Sequence, residues 1–394
     1  MSEAAGTPSE TNPALPACDG AMNNRVLTAR GLRAFGDGYV AILLPIHLGR
    51  LGYGPAEIGL IATSTLLGSA LLTLAFGTIV HRLRLRQGLL AAALLMAGTG
   101  LGFGVLQDFW PLLLLAFVGT INPSGGDVSV FLPMEHTIIA QSVADQERTS
   151  AFARYSFVGS IGAALGALAI GALDWIEVIL PGADVGGALF LLYGGIGLVT
   201  LFVYAGMPEV RTGEGPPSAA LGPSRRRIYG LATLFSVDAF GGGFIVNSLL
   251  AVWLFERFGL SVTATGAIFF VTGVCSSLSY FAAARLATRF GLVNTMVFTH
   301  LPSSVFLILA AIAPTLPIAV ALLIARSLLS QMDVPTRSSY VMAVVEPAER
   351  PAAASVTAVP RSLAASLSPA LAGWMLAVSP FGWPLICAGA LKIA

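Results

Sequence analysis

Apolar residues run along this chain in long stretches separated by short polar breaks. Read with a window of about 19 residues, the stretches fall at 30–49, 55–80, 88–107, 110–139, 150–173, 187–206, 228–255, 262–287, 293–313, 316–345, 352–378 and 381–394. Each is continuous rather than alternating at every second position. That pattern predicts bilayer-crossing helices and excludes a β-barrel. The last stretch has fourteen residues, a helical reach of ~21 Å against ~30 Å of hydrocarbon. It reads as a truncated twelfth span.

The polar breaks carry the topology. Arginine gathers in alternate breaks: His81–Arg86, Arg148, Arg211 with the run Arg225–Arg227, Arg289 and Arg350. The opposite breaks hold Arg50 and Arg257 among the acids Asp108, Asp174, Glu177, Asp184 and Glu256. The positive-inside rule puts the arginine-rich side, and with it the N-terminus, in the cytoplasm. Residues 1–24 are polar and lack an apolar core for a signal peptide, so they read as a disordered cytoplasmic tail. The segment 207–227, with Pro216-Pro217 and its arginines, is the one sizeable linker. It divides an N-terminal six-helix bundle (25–206) from a C-terminal one (228–394).

Composition fits this picture. Apolar residues make up 56% of the 394 and charged ones 10%, where a soluble domain carries about 25% charged. The mean hydropathy is +0.82. A soluble enzyme of this length could not hide so much apolar surface, and a net charge of +1 offers no field for nucleic acid. Cys18, Cys275 and Cys387 are far apart, with no disulfide or metal-ligand spacing. No phosphate loop is present, and no nucleophile is arranged with a base. The residues therefore imply no catalytic site, no metal and no cofactor.

The two halves repeat each other. "GTIVHRLRLRQG" at 77–88 matches "ARLATRFGLVNT" at 284–295, aligning Arg82 with Arg289. "DVSVFLP", beginning at Asp127, matches "DVPTRSSY", beginning at Asp333, and each copy runs on to a Glu-Arg pair (Glu147-Arg148, Glu349-Arg350). Parallel six-span repeats place a solute site between them at the membrane midplane and let the halves rock about it.

With these motifs the chain resembles the major facilitator superfamily along nearly its whole length. The family pattern in the loop after the second span is Gly-x-x-x-Asp-Arg-x-Gly-Arg-Arg. This sequence has Gly77, Arg82 and Arg86 in register, but His81 in place of the acid and Arg84 in place of the second glycine. The second copy keeps Arg289 and Gly291. The resemblance implies an all-α membrane fold of twelve helices and a cytoplasmic gate formed by Gly77, His81, Arg82, Arg86, Arg289 and Gly291. Without the acid, the charge relay of that gate is incomplete. The fifth span carries Gly162 and Gly166 at helix-packing spacing, without the Gly-Pro pair of many exporters in the family. The eleventh has Ser368-Pro369 at the equivalent place, with Arg361 earlier, which tilts toward export.

Charges inside spans cost at least ~2.5–3.5 kcal/mol each on insertion scales, so each needs a reason. Asp37, Asp127, Glu135, Arg154, Asp238, Arg326, Asp333, Arg337 and Arg361 lie in apolar stretches. In the tenth, Arg326, Asp333 and Arg337 share a helix face, and Asp333 and Arg337 are spaced to pair. They form either a polar stripe on the solute path or a structural ion pair. The fourth is broken by Asn122-Pro123-Ser124-Gly125-Gly126 beside Asp127, the way transporters build sites from discontinuous helices. A carboxyl in low dielectric can carry a proton, so Asp127 and Glu135 are candidates for coupling. Alternatively, Asp127 pairs with Arg154 or caps the broken helix, and Glu135 sits near headgroups. Asp37 and Asp238, on the two spans that line the cavity in the resembled family, read as cavity acids; for Asp37 the alternative is pairing with Arg33. Asn247 and Trp253 are further cavity candidates, Trp253 with the alternative of an interface anchor. His47 and His300 read as packed, hydrogen-bonded residues.

Together these observations predict a secondary transporter of a small solute in a bacterial inner membrane. It would act as a monomer among lipids, most simply as a proton-coupled exporter driven by the proton gradient. A facilitator or symporting importer of the same fold, and a non-transporting membrane sensor or scaffold, are the other readings.

Overall fold

The computed structural model describes residues 19–79, 84–124, 129–143, 147–179, 181–182, 184–209, 221–346 and 349–394. Among them are sixteen helices: α1 (Asp19–Arg50), α2 (Pro55–Ile79), α3 (Leu85–Val105), α4 (Phe109–Val118), α5 (Phe131–Ser142), α6 (Arg148–Ala169), α7 (Ala172–Ile179), α8 (Val185–Ala205), α9 (Arg225–Gly243), α10 (Asn247–Phe258), α11 (Val262–Phe290), α12 (Leu292–Ile312), α13 (Leu316–Ser330), α14 (Asp333–Ala343), α15 (Arg350–Val378) and α16 (Trp383–Ile393). They form an all-α membrane fold of twelve crossings. The fourth, seventh and tenth crossings are broken pairs: α4 with α5, α9 with α10, and α13 with α14. Seven helical stretches among the described residues are long and apolar enough by themselves to cross a membrane. Large apolar side chains such as Trp110, Phe202, Phe298 and Trp374 stand exposed on the outer surface, as a lipid-facing wall requires. The first helix begins at Asp19, within the segment read as a tail, so Arg25, Arg30 and Arg33 are helical.

Hydrocarbon offers no hydrogen bonds, so a crossing can break only where protein or a cavity supplies partners. At the α4–α5 break, Asn122 Oδ1 accepts from the Ser124 backbone N–H (3.1 Å) and hydroxyl (2.6 Å). The α9–α10 break at 244–246 follows Gly241-Gly242-Gly243. There the Ser248 N–H donates to the Pro123 carbonyl oxygen at 3.0 Å. The broken parts of the fourth and seventh crossings thus satisfy each other across the two halves. The third break, at Gln331 and Met332, precedes Pro335, which has no N–H to return to the preceding turn.

Packing repeats with the sequence. In the first half α1 lies on α6, α3 on α8 and α2 on α4; in the second half α9 lies on α15, α12 on α16 and α11 on α13. Between halves, α2 packs on α15 and α6 on α11, two contacts exchanged by the same pseudo-twofold relation.

These inter-half contacts tighten toward one end of the bundle, away from the linker. A Cβ on Gly59 would lie 2.5 Å from the Pro369 carbonyl oxygen, and one on Gly373 would lie 2.4 Å from that of Pro55. Only glycines allow this backbone approach. Nearby, Ala370 N–H donates to Thr63 Oγ1 at 2.8 Å. On the other seam the Thr263 N–H and hydroxyl donate to Asp174 Oδ2 at 3.0 and 2.7 Å. Closer to the middle, Ser277 and Ser160 hydroxyls meet at 2.6 Å.

Gly59→Val should wedge this seam apart. With spin labels at Tyr53 and Ser379, the distance distribution is expected to shift to longer values than in the parent. An unchanged distribution would show that the glycine contact does not hold this end shut.

Candidate functional site

A cavity of about 640 Å³ lies between the halves, within the ordinary size of small-molecule sites. Its N-terminal wall includes Arg30, Gly38, Ser124, Ser156 and Ser160; its lining extends toward the linker end at Thr73, Leu74, Tyr280 and Ala358. The C-terminal wall carries most of the charge, with Asp238, His300, Arg326, Asp333, Arg337, Arg361 and Lys392.

Three other C-terminal helices converge on Asp238 of α9. Lys392 Nζ, from α16, is 2.7 Å from Asp238 Oδ1, and His300 Nε2, from α12, is 2.9 Å from the same oxygen. Arg337 Nη1, from α14, is 3.4 Å from Asp238 Oδ2 and 3.0 Å from Asp333 Oδ2. His300 Nδ1 is 3.9 Å from Asp333 Oδ2, so the imidazole stands between the two carboxylates. The Arg337 guanidinium also lies 5.5 Å from the Phe235 ring centre. The i,i+4 spacing of Asp333 and Arg337 produces the expected pair, and both also belong to the wider cavity network. Arg326 and Asn247 line the same cavity.

The N-terminal acids are held differently. Glu135 is completely buried and accepts from Arg33, from the Tyr155 hydroxyl (2.6 Å) and from the Tyr204 hydroxyl (2.6 Å). The Arg33 guanidinium also covers the Phe131 ring at 3.9 Å. This cluster joins α1, α5, α6 and α8, and Glu135 lies in their packing rather than among the residues that line the cavity. Asp37 is buried and accepts from Tyr193 of α8 at 3.2 Å; it too lies off the cavity lining. Arg33, the alternative partner of Asp37, bonds Glu135 instead. Asp127, the fourth-span candidate, lies outside the described residues.

Of the gate residues, His81 and Arg82 are also outside the described residues. Gly77 lies near the end of α2, and Arg86 donates to the Ala205 carbonyl oxygen at 2.6 Å, binding the start of α3 to the end of α8. Arg289 is exposed at the end of α11, and Gly291 makes the corner to α12 with φ of 84°. Gly166 packs against the α1 backbone, where a Cβ would stand 2.0 Å from the Phe35 carbonyl oxygen; Gly162 meets Gly31 one turn away, and Pro369 meets Gly59. Trp253 is fully buried against Phe258 and is neither an interface anchor nor part of the cavity lining. Two functional candidates escape sequence reasoning: Lys392, which reads as a terminal lysine, and His300, which reads as a packing residue. The available signal is that Lys392 is a charge inside an apolar stretch and so requires a partner.

A family model described as Major Facilitator Superfamily matches residues 26–236 and 231–394. The chain is 23% identical over 390 residues to the uncharacterized membrane protein YJR124C of Saccharomyces cerevisiae, covering 89% of this chain and 87% of that one. Among solved structures it is similar to the nucleoside transporter NupG, with a TM-score of 0.72, 12% identity and coverage of 94% and 96%. It also resembles a bacterial homolog of the human lysosomal transporter Spinster, inward-facing and unoccupied, with a TM-score of 0.67, 17% identity and coverage of 96% and 93%. A third is the human organic anion transporter MFSD10, with a TM-score of 0.66, 18% identity and coverage of 96% and 98%.

Removing Glu135 would leave Arg33 charged and buried. Glu135→Ala is expected to cost about 3–5 kcal/mol of stability, read as a lowered midpoint of denaturant unfolding in detergent. Replacing both partners, as Arg33→Met with Glu135→Leu, should recover much of that loss. Equal loss in the single and double variants would show that the pair is not the stabilising element.

Proposed function

Because the chain belongs to the major facilitator superfamily, we propose that it is a secondary active transporter that moves a small solute through the central cavity by alternating access. The cavity between the halves, with tight inter-half contacts on the side away from the linker, is the observation that carries this reading. Such an arrangement suits a state open toward the linker. On the positive-inside argument that side is cytoplasmic, the membrane is a bacterial inner membrane, and the working unit is a monomer whose two six-helix halves rock about the 207–227 linker. No cofactor enters this scheme beyond the proton gradient.

The proposed mode is export coupled to inward proton movement. Asp238 is the proposed carrier because its carboxylate joins Lys392, His300 and Arg337 in this state and is free to take a proton when the helices part and those contacts break. A proton on Asp238 would weaken all three contacts at once and loosen α9 from α12, α14 and α16. The His300 imidazole stands between Asp238 and Asp333 and is placed to pass a proton between them. Each protonation state then favours a different packing of the same helices, as a two-state carrier requires. Asp127 and Asp37 remain secondary candidates. A facilitator or a symporting importer would use the same cavity without this exchange.

The test is transport in proteoliposomes loaded with the pH dye pyranine and challenged with a solute panel. A transported solute should move protons in the parent. Asp238→Asn should lose solute-driven proton movement, by about tenfold or more, while retaining counterflow exchange. Transport indifferent to a pH gradient would sink the coupling. Absence of any solute movement in the parent would favour a sensor or scaffold.

A further inference from the structure

The charges on the C-terminal wall do not balance. Asp238 and Asp333 are offset by Lys392 and Arg337, with His300 between them. That leaves Arg326 and Arg361. Among the described residues neither has an ion-pair partner or a side-chain hydrogen bond, and Arg361 Nε is shielded from solvent with no partner. Arg30 of α1 lines the same cavity from the other half. Two guanidinium groups with neither a salt bridge nor a side-chain hydrogen bond inside membrane spans are costly unless something supplies negative charge at close range. The same cavity lining includes the apolar Leu250, Ile268 and Phe269.

We propose that this cavity binds an organic anion, a phosphate monoester or carboxylate with a compact apolar body. Its charged end is held by Arg326 and Arg361, and its body lies against Phe269, Ile268 and Leu250. Guanidinium suits the role because its planar donors match carboxylate and phosphate oxygens in bidentate fashion. The anion stabilises the wall when bound, and the empty wall retains an excess of positive charge that draws anions in. The proposal rests on the transporter reading only in taking the cavity as the solute path. Anion binding and transport can fail separately.

Thermal shift on the purified full chain in neutral detergent tests it, because a ligand of the folded state raises its unfolding temperature. The probes are phenyl phosphate and benzoate against benzyl alcohol and phenyltrimethylammonium, matched in ring but neutral or cationic. A saturable upward shift is expected from at least one anion and from neither control. Arg326→Gln and Arg361→Gln should each raise the half-saturating concentration about tenfold or more, and the double variant should abolish the shift. Both variants should fold, since neither loses an ion pair, and Arg→Lys at each site should restore part of the affinity. An arm with lysophosphatidylglycerol separates the sources: a shift from it but from neither soluble anion assigns the same anion chemistry to a lipid. The proposal is overturned if no anion shifts the protein, if the cation shifts it, or if the anion shift survives the double variant. Transport of a cation would overturn it while leaving the transporter reading intact. Anion binding without any transport would do the reverse.

Discussion

An ionised side chain in hydrocarbon must find an opposite charge, a set of hydrogen bonds or water, because its insertion costs several kcal/mol otherwise. That constraint organises this protein. In the N-terminal half it produces a sealed cluster in which Glu135 is saturated by Arg33 and two tyrosine hydroxyls. That cluster lies off the cavity lining and joins four helices to one another. In the C-terminal half the same constraint is met at a cavity wall, where one carboxylate is shared by three basic groups from three helices. Altering the charge of that carboxylate would alter all three contacts together.

The helix breaks obey the same constraint on polar groups. Each frees backbone donors and acceptors that lipid could not satisfy, so each must face protein or the cavity. The fourth and seventh crossings meet at theirs, through Ser248 and Pro123. Near the middle, this contact couples the halves through the Ser248 N–H and hydroxyl, both donating to the Pro123 carbonyl oxygen. At the far end, Gly59 and Gly373 let α2 and α15 touch backbone to backbone. Such contacts bury little side chain and are therefore compatible with a seam that closes in one state and opens in another. The halves themselves are held by larger side chains and by the ion clusters.

The sequence makes the spans legible because hydropathy is a local property: the twelve apolar stretches correspond to crossings within a few residues. The repeat and the Asp333–Arg337 pair are legible for the same reason, since both rest on short spacings. The linker end of α1 is less so. The hydropathy window opens at residue 30, and Arg33 therefore enters only as an alternative partner for Asp37. Its bond to Glu135 spans 102 positions and follows from tertiary packing. Lys392 lies 154 residues from Asp238, a pairing that no periodicity can announce. What can be read is the need for a partner, not its identity. Glu135 shows the same boundary: its charge is visibly costly in the sequence, but only packing distinguishes a saturated structural acid from one on a cavity wall.

The repeat also explains why the chemistry sits in one half. Asp37 on the first crossing accepts from Tyr193 on the sixth, and Asp238 on the seventh accepts from Lys392 on the twelfth. The architecture of the bond is the same in both copies, first helix to last helix. The donor differs, a neutral phenol in one copy and an ammonium in the other. The phenol–carboxylate bond packs away from the cavity lining. An ammonium brings a charge that must be balanced in turn, which recruits Arg337 and Asp333 and puts His300 between the two acids. The same first-to-last contact thus lies within helix packing in one half and on the cavity wall in the other.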